Sequence, residues 1–158
     1  MNTLYITFCG HAELYGKESA IYQAILNILS ILLKENQNTK FIFLCGGYGG
    51  FDLLSAKAID EIRKNHPKTI IEKLFVTPYI TESYRKRNEE MRRTYDEIVY
   101  PPIENVPKKY AVVARNRWMV QKADLIIAYV IYEFGGASKT LTYAAKLKKE
   151  IIKVEDYM

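Results

Sequence analysis

Phe41-Ile42-Phe43-Leu44-Cys45-Gly46-Gly47-Tyr48-Gly49-Gly50-Phe51-Asp52 is the stretch on which the fold turns. Five apolar residues of strand length run into a loop that holds half of the chain's eight glycines. A helical pattern follows from Phe51 to Lys64, with Leu54, Ala58 and Ile62 on one stripe, and His66-Pro67 closes it. A strand that is apolar on both faces belongs inside a parallel sheet, because only there are both faces covered. Glycines between such a strand and a helix permit positive φ and a close backbone approach.

Working outward, strand and helix periodicities alternate along the chain. Leu4 to Phe8 reads as a strand. Lys17 to Lys34 carries the helical stripe Ile21, Ala24, Ile25, Ile28, Leu29 and Leu32. Ile70 to Val76 is a further strand, Glu82 to Thr94 a charged helix and Glu97 to Tyr100 a short strand. Pro101, Pro102 and Pro107 mark an irregular link. Lys108 to Lys122 is a helix, Leu125 to Val130 a strand, Ser138 to Lys148 a helix and Ile151 to Val154 the last strand. This order predicts an α/β, Rossmann-like, doubly wound and mostly parallel sheet with helices on both faces, as one domain over residues 1–158.

Composition sets the surroundings. The 158 residues, 49% hydrophobic and 26% charged, are ordinary for a globular domain. The start MNTLYITFCG lacks a secretory pattern, and no run approaches the roughly 18 apolar residues of a membrane helix. Cys9 and Cys45 have no metal-ligand spacing and read as reduced thiols, so a cytoplasmic location and no metal site are expected. The net charge of +5 suits nucleic acid or anionic small molecules without choosing between them.

In doubly wound sheets ligands bind beyond the carboxyl ends of the strands, which selects four loops: Gly10-His11, Gly46 to Asp52, Thr77 to Tyr79 and Glu133 to Thr140. Gly46, Gly47, Tyr48, Gly49 and Gly50 precede a helix N-terminus suited to phosphate, although their spacing is neither the dinucleotide fingerprint nor the Walker loop. Asp52 either bonds a ribose hydroxyl or sits in the favourable first turn of its helix. Gly135-Gly136-Ala137-Ser138-Lys139-Thr140 is a second glycine-rich helix start, with Lys139 as a cation and Ser138 and Thr140 as hydroxyl donors. On the preceding helix, Val112, Asn116, Met119, Val120 and Ala123 share a stripe that directs Asn116 at the sheet and leaves Arg115 at its edge, within reach of a phosphate. Tyr79, Tyr129 and Tyr132 lie near strand ends, where they either stack on a base or pack among themselves. His11 is a contact residue with no partner for a triad. Glu82 with Lys86 and Glu89 with Arg93 are expected to pair on a solvated helix face.

Taken together, TFCGHAEL, FLCGGYGGFDLLSAKA, ARNRWMVQKADLIIAYV and GGASKTLTYAAKLKKEIIKV resemble the SLOG superfamily, especially its small YpsA-like members, a group that includes the Smf/DprA proteins and the "lonely guy" phosphoribohydrolases. The resemblance implies a Rossmann-like fold and a pocket for a nucleotide or a nucleotide-derived molecule related to ADP-ribose or NAD, with no other cofactor. It maps ligand positions onto Gly46, Gly47, Gly50, Asp52, Arg115, Gly135, Gly136 and Thr140, and by analogy implies a homo-oligomer. The hydrolase branch carries a PGGxGTxxE pattern. Here Phe134 replaces the proline and Tyr143 the glutamate, a residue that cannot readily serve as a carboxylate at neutral pH.

The leading expectation is therefore a sensor or sequestering protein for a nucleotide-derived small molecule, with nucleotide signalling or phage defence as the setting the family implies. Arg115→Ala and Gly47→Asp are expected to abolish binding and leave folding intact. The alternatives are a nucleotide N-glycosidase or transferase using Glu133 or Asp52, and single-stranded nucleic-acid binding, which the pI near 9.1 allows.

Overall fold

In the computed structural model, which describes Met1–Met158, strand β1 (Asn2–Gly10) lies inside the sheet because its two faces bury different layers. Ile6 and Phe8 enter one core, while Thr7 and Cys9 face the other side. The chain continues through α1 (Glu18–Glu35), β2 (Thr39–Cys45), α2 (Gly49–Asn65), β3 (Ile71–Val76), α3 (Glu82–Met91) and β4 (Glu97–Val99). A 3-10 turn at Lys108–Tyr110 leads into α4 (Ala111–Lys122), then β5 (Leu125–Tyr129), α5 (Gly136–Lys146), β6 (Glu150–Lys153) and a closing 3-10 turn at Val154–Tyr157.

The six strands form one parallel sheet in the order β4-β3-β2-β1-β5-β6. The α/β doubly wound architecture is the one the alternating periodicities predict. From β1 the chain steps outward to β4, then returns to β5 on the other side of β1, so strand order reverses between β1 and β5. The loops leaving neighbouring strands at such a point diverge and open a crevice at the carboxyl edge.

Helices α1 and α2 cover one face over a core of 25 buried residues. Phe8 and Phe43 stack there with centroids 5.8 Å apart, and Phe51 stacks on Tyr129 at 6.3 Å. Each fully buried side chain of this size contributes about 1.5–3 kcal/mol, so this cluster dominates stability. Helices α4 and α5 cover the other face over smaller clusters, one around Ile126 and Val120 and one around Leu44, Val76 and Met119.

Two local features depart from expectation. Lys73, in the middle of β3, is 1% exposed, held by Asp60 Oδ1 at 2.7 Å and by the face of Tyr95 at 4.9 Å. On α3 the acids select arginines three residues along instead of the expected partners four along: Glu82 accepts from Arg85 at 2.9 Å and Glu89 from Arg92 at 3.3 Å. These side chains are mostly exposed and add little stability. With no fully buried residue of its own, α3 is seated mainly by polar contacts: Arg87 Nη2 donates to the Gly47 carbonyl, and Asn88 bonds the Thr77 hydroxyl and the Tyr79 carbonyl.

Candidate nucleotide-binding cavity at the carboxyl edge

A cavity of about 630 Å³ opens at the carboxyl edge where strand order reverses, lined by the end of β1, by residues of the segments that follow β1, β2, β3 and β5, and by α4 and the start of α5. Buried Thr7, Cys9 and Met119 and half-buried Asp52 and Asn116 line it, together with several aromatic residues, three of them largely exposed.

The aromatics form two groups. On the β5 side, Tyr132 stacks on Phe134 with centroids 5.5 Å apart, and Tyr15 meets Tyr132 edge-on at 6.2 Å. On the β2–β3 side, Tyr79 and Tyr84 pack at 5.0 Å, and the Arg87 guanidinium lies 5.0 Å over the Tyr48 ring. Phe134, Tyr15 and Tyr48 are 74%, 71% and 67% exposed, a large apolar outlay that core packing does not explain. Of the three tyrosines singled out in the sequence, Tyr79 and Tyr132 line the cavity. Tyr129 is buried against Phe51 and does not.

His11 holds the β5 side in place. Its Nε2 accepts from the backbone N–H of Ile131 at 2.9 Å and of Tyr132 at 3.3 Å, which requires the neutral ring with its proton on Nδ1. Burial lowers its pKa, in keeping with that state. Cys9 donates to the Ala137 carbonyl at 3.2 Å. Burial pushes this thiol up to about 12, with Asp52 adding to the shift, so it stays protonated.

Arg115 and Asn116 exchange their expected places. The sheet-facing stripe of α4 is Ala111, Arg115, Met119 and Val120, while Asn116 is half-buried on the cavity wall and Val112 is partly exposed beside it. The stripe read from the sequence is rotated by one residue, because a guanidinium that satisfies itself on backbone carbonyls can take a core position. Arg115 is 3% exposed, and its Nη1 donates to the carbonyls of Val76 at 2.7 Å and Gly46 at 3.1 Å. Its Nε donates to Asn116 Oδ1 at 2.8 Å. The residue therefore clamps the ends of β2 and β3 together.

The two glycine loops differ in the same way. Gly46, Gly47, Gly49 and Gly50 do not line the cavity, and two of the first N–H groups of α2 are already used by the protein. The Gly50 N–H donates to the Ala12 carbonyl at 2.8 Å and the Phe51 N–H to the His11 carbonyl at 3.3 Å. A Cβ on Gly49 or Gly50 would lie 2.7 Å from Ala12 atoms, and one on Gly10 would lie 2.3 Å from the Phe51 ring. These glycines serve close packing of the protein on itself. Tyr48 and Asp52 are the parts of that loop that reach the cavity. Gly135 and Gly136 have open space where a Cβ would stand, and both line the cavity. The first N–H groups of α5 lack intrahelical acceptors, as at any helix start, and Gly136 and Ala137 at that start line the cavity. Thr140 lines the wall, Lys139 is exposed, and Ser138 lies off the wall. Glu133 is exposed and away from the cavity, so of the two carboxylates considered for chemistry only Asp52 is placed there. Tyr143 turns toward α4, where its hydroxyl accepts from Gln121 Nε2 at 2.6 Å.

No protein-family model matches the chain, and no curated protein matches it in sequence. Solved structures do match. DNA processing protein A (DprA) from Helicobacter pylori, in a structure describing its single-stranded DNA binding mode, superposes with a TM-score of 0.61 at 17% identity over 95% of this chain and 64% of that one. DprA from Streptococcus pneumoniae superposes with a TM-score of 0.62 at 12% identity over 96% of this chain and 50% of that one. The fold is that of DprA. The chain spans less than two thirds of either neighbour, and at these identities the likeness is one of fold.

Within this DprA fold the carboxylate of Asp52 is the most perturbed acid. Its Oδ2 accepts the Tyr48 N–H at 3.0 Å. Desolvation raises its pKa to about 6, against the opposing effects of that N–H and of Arg115. A folded-state pKa above the unfolded one means that the native state binds the proton more tightly. The associated stability is present in acid and lost as pH rises through about 6. Asp52→Asn is therefore expected to raise stability near pH 7.5 by about 1–2 kcal/mol, allowing for the part of the residue that remains accessible, and to change it little at pH 4. Urea melts of both proteins across that range check it. A gap that does not widen with pH contradicts the assignment.

Proposed function

We propose that the chain binds single-stranded nucleic acid along the carboxyl edge of its sheet, with one base inserted between the two aromatic groups. The observation that carries this reading is the pair of partly exposed aromatic surfaces, Tyr15-Tyr132-Phe134 and Tyr48-Tyr79-Tyr84, flanking a cavity large enough for a nucleotide. Stacking between aromatic side chains is how proteins hold an unpaired base, worth about 1–3 kcal/mol per base. Arg87 and Lys108, set over Tyr48 and Tyr79, and the open start of α5 supply positive potential for the flanking phosphates. The likeness to a DprA described as binding single-stranded DNA agrees with this reading. The motifs quoted above further suggest the small YpsA-like branch of the SLOG superfamily.

Phe134→Ala with Tyr132→Ala is expected to weaken binding of a fluorescein-labelled oligothymidylate by at least about tenfold, without lowering the melting temperature by more than a few degrees. Fluorescence anisotropy measures it, and the affinity should fall as salt rises. Wild-type protein that leaves the oligonucleotide unbound at physiological salt overturns the proposal.

A second reading, a sensor or sequestering protein for a free nucleotide-derived molecule such as ADP-ribose, is favoured by the volume of the cavity, about 630 Å³, which is in the range of small-molecule sites. Calorimetry with ADP-ribose, NAD and mononucleotides separates it from the first. Self-association as a homo-oligomer belongs with this reading and is tested by light scattering.

A further inference from the structure

Several polar groups lining the cavity are already used by the protein. The Thr7 hydroxyl donates to the Leu44 carbonyl, the Thr140 hydroxyl to the Gly136 carbonyl and the Cys9 thiol to the Ala137 carbonyl. Two groups are not used up. A guanidinium nitrogen only donates, so the Asn116 amide must turn its oxygen to Arg115 Nε, which leaves its NH₂ without a protein acceptor. Asp52 receives one N–H, from Tyr48 on Oδ2, so Oδ1 and the second lone pair of Oδ2 stay open. Asp52 Oδ2 and the Arg115 guanidinium carbon both lie close to the position of a Cβ on Gly46, at 3.2 and 3.5 Å. The acceptor and the donor are thus both neighbours of one buried guanidinium.

We propose that the cavity reads a guanine base, with Asp52 accepting from the two adjacent donors of its Watson–Crick edge and the Asn116 NH₂ donating to its O6. The inference rests on the single-strand reading above and adds the identity of the inserted base. Guanine is the base that presents two neighbouring N–H donors beside a carbonyl. Thymine and uracil set carbonyl oxygens on both sides of their single N–H, where a carboxylate repels them. Adenine and cytosine each offer one amino group beside a ring nitrogen and fill only half of the carboxylate. Reading an extruded base by hydrogen bonds to this edge, between aromatic surfaces, is an established mode of recognition. Arg115 is then a positioning residue: it fixes which end of the Asn116 amide faces the base.

The test is competition anisotropy at pH 7.5 with oligothymidylates that carry a single central dG, dA or dC, or none. The dG oligonucleotide is expected to bind at least about tenfold more tightly than the others, as a good bidentate pair discriminates. Asp52→Asn, which keeps the shape and replaces an acceptor by a donor, is expected to bring the dG and dT oligonucleotides within about twofold of each other. Equal wild-type affinity for all four overturns the guanine assignment while leaving single-strand binding standing. If no oligonucleotide binds, the single-strand reading fails, and calorimetry with GMP against AMP, CMP and UMP decides the base. Selective GMP binding that Asp52→Asn removes upholds the guanine site, and its absence overturns it.

Discussion

Arg115→Ala is expected to destabilise the protein by about 3–5 kcal/mol, a large part of the 5–15 kcal/mol that holds a domain folded. The side chain is 3% exposed, and its Nη1 serves two carbonyls that belong to different strand ends, Val76 O at 2.7 Å and Gly46 O at 3.1 Å. Removing it leaves both acceptors buried without a donor, each costing about 1–3 kcal/mol, and frees the Asn116 amide to turn. Arg115→Lys should recover only part of the loss, because one ammonium lacks the planar fork that spans these acceptors. Urea denaturation checks the series. That result would run against the expectation, drawn from the sequence, that Arg115→Ala spares folding. A variant with the wild-type urea midpoint and no ligand binding would return Arg115 to a direct role on phosphate.

The sequence makes the layer order legible because each apolar run has a length and period with one physical solution. Phe41 to Cys45 can be covered on both faces only inside a parallel sheet, and the Ile21-to-Leu32 stripe only against such a sheet. From those elements the carboxyl-edge loops follow by topology alone. Individual site residues are less legible, since the sequence does not say which of two neighbouring polar residues faces inward. Arg115 and Asn116 differ by one position, or 100° of helix, and hydrophobicity assigns the core place to the amide. The reverse holds because three acceptors within reach satisfy the guanidinium. Tyr15, Tyr84 and Phe134, cavity residues not proposed as ligand contacts from the sequence, carry only the signal of an aromatic in or next to a glycine- or tyrosine-rich segment, which packing explains equally well. The glycines of the two loops look alike as letters. They differ in whether Ala12 and Phe75 already fill the space in front of them.

That difference gives opposite outcomes for one substitution made in the two loops. Gly47 has φ +66°, and a Cβ there would lie 2.6 Å from the Phe75 ring, with Met91 at 3.5 Å. Gly47→Asp combines the left-handed backbone penalty with a clash and an anion set against apolar groups, and is expected to cost about 3 kcal/mol or more. It acts by displacing Phe75 from the core, so the loss of folding accompanies or precedes any loss of binding, contrary to the expectation from the sequence. At Gly136 nothing stands within 4 Å of the Cβ position, and the residue opens α5. Gly136→Asp places a carboxylate where the helix dipole favours one, so stability should stay level or rise by a few tenths of a kcal/mol. The same carboxylate occupies the start of α5 that the proposed function gives to a phosphate, so oligonucleotide affinity should fall by about tenfold. Thermal melts and anisotropy on the two variants separate the loop that builds the fold from the loop that meets the ligand. A Gly136→Asp protein that binds as well as wild type removes the start of α5 from the site.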